Sequence, residues 1–123
     1  MKLAILLLIL ASPSQASEQS CLADILMAET ENQPFEGVVG VGEAAIAKAK
    51  SESTTLCKLK GVQRKRPKSE MALYYSAVAK VLIKEERQGI SKGADHWEVG
   101  KKPHLPGKIT RQIKDHVLYK LEK

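Results

Sequence analysis

The sequence predicts an α+β domain dominated by helix, with about three helices followed by a C-terminal β-containing segment. Three observations predict it. Apolar residues recur at helical spacing through the earlier part of the 123-residue chain. Beyond Gly89 that period stops, and "GADHWEVGKKPHLPGK" brings three glycines, two prolines and the only tryptophan, Trp97. The last stretch, "IKDHVLYKLEK", alternates Val117 and Tyr119 against Leu118 and Lys120, which is the period of a strand. A chain of this length has room for one such domain.

The start, "MKLAILLLILASPSQA", carries one lysine, an apolar run, a helix-breaking "SPS" and a small-x-small ending. That is the layout of a cleavable secretory signal, with an apolar part short for a bilayer span. Cleavage is expected after Ala16, so that residues 1–16 are the leader and 17–123 the domain; the alternative is an uncleaved anchor. In an exported protein the two cysteines, Cys21 and Cys57, are expected to form one disulfide. Closing that loop would contribute about 3–4 kcal/mol by restricting the unfolded chain. No C-x-x-C or clustered Cys/His spacing occurs, and neither a metal nor an organic cofactor is expected.

The formal charge of +6 becomes +5 when Lys2 leaves with the leader, since residues 1–16 hold no other charged side chain. In the cytoplasm such basicity would suggest nucleic acid. Outside it the acidic polymers are lipid headgroups, teichoic acids, lipopolysaccharide and the wall itself. The expected partner is therefore an anionic envelope surface and not nucleic acid.

The first helix is expected from about Ser20, as N-cap, to "ETENQP", where Asn32 and then Pro34 end it. Leu22, Ile25 and Leu26 share one face, and the next position on that face is Glu29. A second helix, Phe35 to Lys50, is rich in Gly and Ala, which marks it as central and closely packed. "SESTTLC" is loop-like and returns Cys57 toward the first helix. The basic connector "KLKGVQRKRPKS" is either a solvated loop or a contact for an anionic polymer. Ser69 caps a third helix whose core stripe reads Met71, Tyr74, Val78, Val81 and Leu82, and Gly89 stops it.

A carboxylate on an apolar stripe needs a reason, because acids are seldom buried without a partner. Spacing alone leaves two readings of Glu29. It pairs with a basic residue or lies where the helix frays; or it is a site acid, since an apolar surround favours the protonated form that glycosidic cleavage asks of a general acid. Glu43, between Val39 and Ile46, is expected to be partly buried as a structural hydrogen-bond partner. No G-x-S-x-G elbow is present, and a disulfide between the cysteines argues against a thiol nucleophile.

"CLADILMAETENQPFEGVVGVGEAAIAKAKSESTTLC" resembles the opening of the SleB-type cell-wall hydrolases, the family of spore-cortex-lytic enzymes and their relatives. The matching residues are Cys21, Leu22, Ala23, Glu29, Pro34, Glu36, Gly37, Val39, Val41, Glu43 and Cys57. "GADHW" resembles the family's G-A-x-H-Y/F element through Gly93, Ala94, His96 and Trp97. "IKDHVLY" resembles I-G-x-H-x-F-Y through Ile113, His116 and Tyr119. The three elements keep the family's order along nearly the whole mature chain.

The resemblance implies a lysozyme-like domain that cleaves peptidoglycan glycan strands as a monomer, with Glu29 in the position of the catalytic acid. Such enzymes are similar to lytic transglycosylases, which cut the bond from N-acetylmuramic acid to N-acetylglucosamine with a single carboxylate. Trp97 would then wall the sugar rings or simply pack in the core. Tyr119 and His96 would bond substrate or support Glu29, and His116 would be structural. Thr30 to Gln33 stand where the family has A-R-G-E, Ala47 and Lys48 stand where it has N-R, and no aromatic follows Gln63. These departures thin the support around Glu29 and keep a second reading open, a non-cleaving protein that binds peptidoglycan or another envelope polymer. A small secreted interaction protein on the same disulfide scaffold is a third.

Overall fold

The computed structural model describes residues 13–122, the first three of them by their backbone alone. The bulk of the expected leader lies outside the described residues. Three helices, α1 (Pro13–Thr30), α2 (Phe35–Ser51) and α3 (Ser69–Glu85), precede three strands, β1 (His96–Val99), β2 (Gly107–Ile113) and β3 (His116–Leu121). A single 3-10 turn, Leu56–Lys58, lies between α2 and α3. The strands form one antiparallel sheet in the order β1-β3-β2. The architecture is the expected α+β domain with its sheet at the C-terminal end.

Helix α1 is already helical at Pro13, the first described residue, about two turns ahead of the expected Ser20. Nothing between Pro13 and Cys21 breaks a helix. The added turns are anchored: the Glu18 carboxylate accepts from the backbone N–H of Leu56 at 2.8 Å and of Cys57 at 3.0 Å, and Gln19 donates to the Ser76 hydroxyl at 2.7 Å. The Cys21–Cys57 disulfide is formed beside that cap, with 5.1 Å between the Cα atoms. At the other end Asn32 takes the left-handed conformation, φ 69°, and Pro34 follows.

Leu22, Ile25 and Leu26 are fully buried, each such side chain contributing about 1.5–3 kcal/mol. Helix α1 packs on both α3 and α2, and α2 is the central element, touching α1, α3, β1 and β3. Its small residues are the reason. A Cβ on Gly42 would lie 2.4 Å from the Leu82 side chain, and one on Gly40 only 3.0 Å from Leu118. Glu43 is buried on this helix, its carboxylate accepting from the backbone N–H groups of Ile90 (3.0 Å) and Ser91 (2.7 Å), a structural role as expected.

Helix α3 differs from the expected stripe. Its buried residues are Tyr75, Ala79 and Leu82, whereas Met71 and Val81 are exposed. It ends at Glu85, where Glu86 adopts the left-handed conformation (φ 51°), before Gly89 is reached. In the sheet, the ladder between β2 and β3 is interrupted between Ile109 and Arg111. The hydroxyl of the intervening Thr110 bonds the Ser91 carbonyl at 2.7 Å, tying the sheet to the segment after α3.

Candidate active site around Glu29

Glu29 sits in the last turn of α1, one turn beyond the buried leucine–isoleucine stripe, and is half-buried. Both of its carboxylate oxygens accept hydrogen bonds. The backbone N–H of Gln63, in the basic connector, reaches Oε1 at 3.2 Å, and the indole N–H of Trp97, on β1, donates to Oε2. A helix end, a loop and a strand therefore converge on one acid. No salt bridge to Glu29 occurs among the described residues.

This acid lines a cleft of about 300 Å³ together with Lys48, His96, Trp97, Glu98 and Tyr119. Strand pairing explains the grouping. His96 on β1 lies opposite Tyr119 on β3, their rings 5.4 Å apart, and Glu98, two residues along β1, shares the face of His96. The Tyr119 hydroxyl donates to Glu98 at 2.7 Å, and the His104 backbone N–H donates to the same oxygen.

Burial alone would push the Glu98 carboxyl up, but the bonds from His104 and Tyr119 outweigh it and hold the group below its usual range. For Tyr119, burial and then the Glu98 carboxylate push the phenol well above its ordinary value. Tyr119 is thus a fixed neutral donor and Glu98 a fixed acceptor.

His96 is oriented from both sides. Its Nδ1 is 2.9 Å from Asp95 Oδ1, and its Nε2 is 3.4 Å from the Lys48 ammonium, which also pairs with Glu52. An ammonium can only donate, so Nε2 is the acceptor and the ring proton sits on Nδ1, facing Asp95. Asp95 also accepts from the Leu121 N–H at 2.8 Å. Burial would raise its carboxyl, yet the bonds from His96 and Leu121 and the positive charge of Lys120 lower it.

All four of the residues singled out in the sequence, Glu29, His96, Trp97 and Tyr119, meet in this cleft. Trp97 packs against the core cluster and also lines the cleft. His116 is buried in the sheet and lines none of it. Glu98, Lys48 and Asp95 were missed as functional groups. The i, i+2 spacing of His96 and Glu98 in a strand would have found the first; Asp95 follows from its place beside His96 and the pairing of β1 with β3, and Lys48 depends on how α2 and the sheet are docked. A larger apolar groove of about 670 Å³, between α2, α3 and Ile90, contains none of the predicted site residues. No helix among the described residues is long and apolar enough to cross a membrane. No family model, curated protein or solved structure matches the chain.

Proposed function

We propose that this chain is an exported, SleB-type peptidoglycan-cleaving glycosidase, a lytic transglycosylase that cuts the bond from N-acetylmuramic acid to N-acetylglucosamine. The observation that carries the reading is the position of Glu29, a half-buried carboxylate in a cleft, bonded by an indole and a backbone N–H rather than neutralised by a basic side chain. Wall remodelling or lysis is its biological setting, in the periplasm or outside the cell.

In this reaction Glu29 is the general acid, giving a proton to the glycosidic oxygen as the bond from C1 breaks. The carboxylate left behind is a better acceptor for the Gln63 and Trp97 N–H groups than the acid was, so both bonds strengthen as negative charge develops. It then takes the proton of the muramic acid 6-hydroxyl while O6 bonds to C1, which gives a 1,6-anhydro end and returns Glu29 to its acid form. No water is consumed. Tyr119, its hydroxyl proton given to Glu98, and His96, its proton committed to Asp95, hold the wall of the cleft in a fixed arrangement beside the sugar.

Glu98 favours a second reading of the product. Its carboxylate lies in the same cleft, and ordinary glycoside hydrolases use two carboxylates, one of them to activate water. Water in place of O6 would leave a reducing end.

Digestion of purified peptidoglycan by the wild type and by Glu29→Gln, with products read by mass spectrometry, tests the proposal. Soluble fragments with 1,6-anhydro ends from the wild type alone support it, and reducing ends move the acceptor to water. Intact wall from both, with both proteins sedimenting with it, leaves a polymer-binding protein and no enzyme.

A further inference from the structure

The groove between α2, α3 and Ile90 shares no lining residue with the Glu29 cleft. Its apolar walls are Phe35 and Val39 of α2, Val78, Val81 and Leu82 of α3, and Ile90. Phe35 and Val81 remain exposed, so this apolar surface faces solvent. A volume of about 670 Å³ is that of a small-molecule site, where an apolar lining carries a few polar groups that fix orientation.

One polar group of the lining is only half satisfied. Glu43 is 2% exposed, and its Oε1 accepts from the backbone N–H groups of both Ile90 and Ser91. Its Oε2 has no hydrogen-bond partner among the described residues, and no basic side chain there pairs with it. Nor is that oxygen sealed inside. Among the described residues the fully enclosed side-chain atoms without a partner are Gln33 Oε1 and His116 Nδ1. The space open to Oε2 is the groove that Glu43 lines.

The arginines of the groove are committed elsewhere. Arg111 is held by Glu36 and the Ile90 carbonyl, and Arg87 by Glu85. The other buried carboxylate, Asp95, has the His96 bond and the charge of Lys120 beside it. Glu43 has no such compensation.

A buried acceptor without a donor costs free energy, and a carboxylate oxygen only accepts. A neutral apolar ligand would cover the walls and leave Oε2 bare. An anionic one would meet Glu43 at close range in a poorly screened setting. We infer that the groove binds a small apolar molecule carrying one protonated amine, its body between α2 and α3 and its ammonium on Glu43 Oε2. This site goes beyond the glycosidase reading and does not depend on it.

The test is isothermal titration of the whole protein at neutral pH with decylamine, decanol and decanoate, which share a chain and differ in the charge of the head. Butylamine supplies the same head with little body. Glu43→Gln keeps an oxygen for the Ile90 and Ser91 N–H groups and puts a donor where Oε2 stands. Val81→Trp narrows the groove from an exposed position.

Decylamine is expected to bind about tenfold tighter than decanol, with butylamine weaker than decylamine. Decanoate should bind weakest, although a formal net charge of +6 favours an anion over the surface as a whole. Glu43→Gln should bring decylamine to the level of decanol, and Val81→Trp should weaken decylamine about tenfold, both with an unchanged thermal midpoint. Equal binding of the three heads, no binding of decylamine, or a preference for amine that survives Glu43→Gln overturns the inference. Decylamine binding unchanged in Val81→Trp places the ligand outside the groove and overturns it too. Should Glu43→Gln fold poorly, the ranking of the three heads on the wild type decides the matter.

Discussion

Trp97 donates its indole N–H to the carboxylate of Glu29 across 68 residues of chain. The bond joins the last turn of the first helix to the edge strand of the sheet, so the helical and β parts of the domain meet at the acid. The geometry also makes the two residues separable by substitution. The ring of Trp97 packs against the core, while only its nitrogen addresses Glu29.

Trp97→Phe keeps most of the apolar body and deletes that donor. Cleavage is expected to fall about 10- to 100-fold in kcat, because a donor that strengthens as charge develops acts on the transition state. KM should change less. Steady-state kinetics on solubilised glycan strands measure both, and an unchanged kcat would mean that the bond is only structural.

Removing the disulfide by Cys21→Ser with Cys57→Ser is expected to cost about 3 kcal/mol of stability, the scale for releasing a closed loop of this size. The bridge joins positions 36 apart and lies outside the cleft lining. Urea unfolding with and without reductant measures the loss. The wild type in reductant should fall to the level of the double variant, and both should still bind wall at low denaturant.

Stability is expected to fall at both ends of the pH scale, for different groups. Glu98 and Asp95 have carboxyls lowered in the folded state, so their contribution is present above the unfolded carboxylate pKa and is lost as pH falls through the lower folded value. The acid limb should begin below about pH 4 and be shallower in Glu98→Gln. Tyr119 is raised in the folded state, so its contribution is complete below the unfolded phenol value and is lost as pH rises beyond about 10. Tyr119→Phe should flatten that alkaline limb. Thermal midpoints from pH 2 to pH 12 read both effects, each range following from the ordinary carboxyl and phenol values.

Gly42→Ala inverts the usual benefit of alanine in a helix. The added methyl would collide with the end of the Leu82 side chain, which is buried and has to turn aside, at an expected cost of about 1 kcal/mol. Leu82→Ala removes the obstacle, so Gly42→Ala should cost distinctly less in that background. A double-mutant cycle by denaturant unfolding measures the coupling, and simple additivity would show that the two side chains do not meet.

The same pair explains where the sequence could be read and where it could not. The stripe expected for helix α3, Met71, Tyr74, Val78, Val81 and Leu82, is met in part: Leu82 is buried and Tyr74 and Val78 pack half-buried against the core, while Met71 and Val81 are exposed and Tyr75 and Ala79 are buried instead. The notch at Gly42 that receives Leu82 sets that rotation, which periodicity alone does not. The ends of α2, the turn at Asn32 and the strand at Tyr119 were legible because proline, asparagine and a period of two act locally. The start of α1 was not, since the contacts that hold Glu18 and Gln19 come from segments far along the chain. In the cleft, Glu29, His96, Trp97 and Tyr119 could be singled out one by one from pattern and resemblance. Glu98 and Lys48 belong to it through strand register and helix docking, which are properties of the folded chain.

The protein's single tryptophan is also the residue that bonds Glu29. Its intrinsic fluorescence therefore comes from one address, the cleft itself, with no background from other indoles. A polymer settling over the acid, or the parting of helix and sheet on unfolding, would alter the light from that ring. The molecule carries its own optical reporter, and binding can be followed without attaching a label.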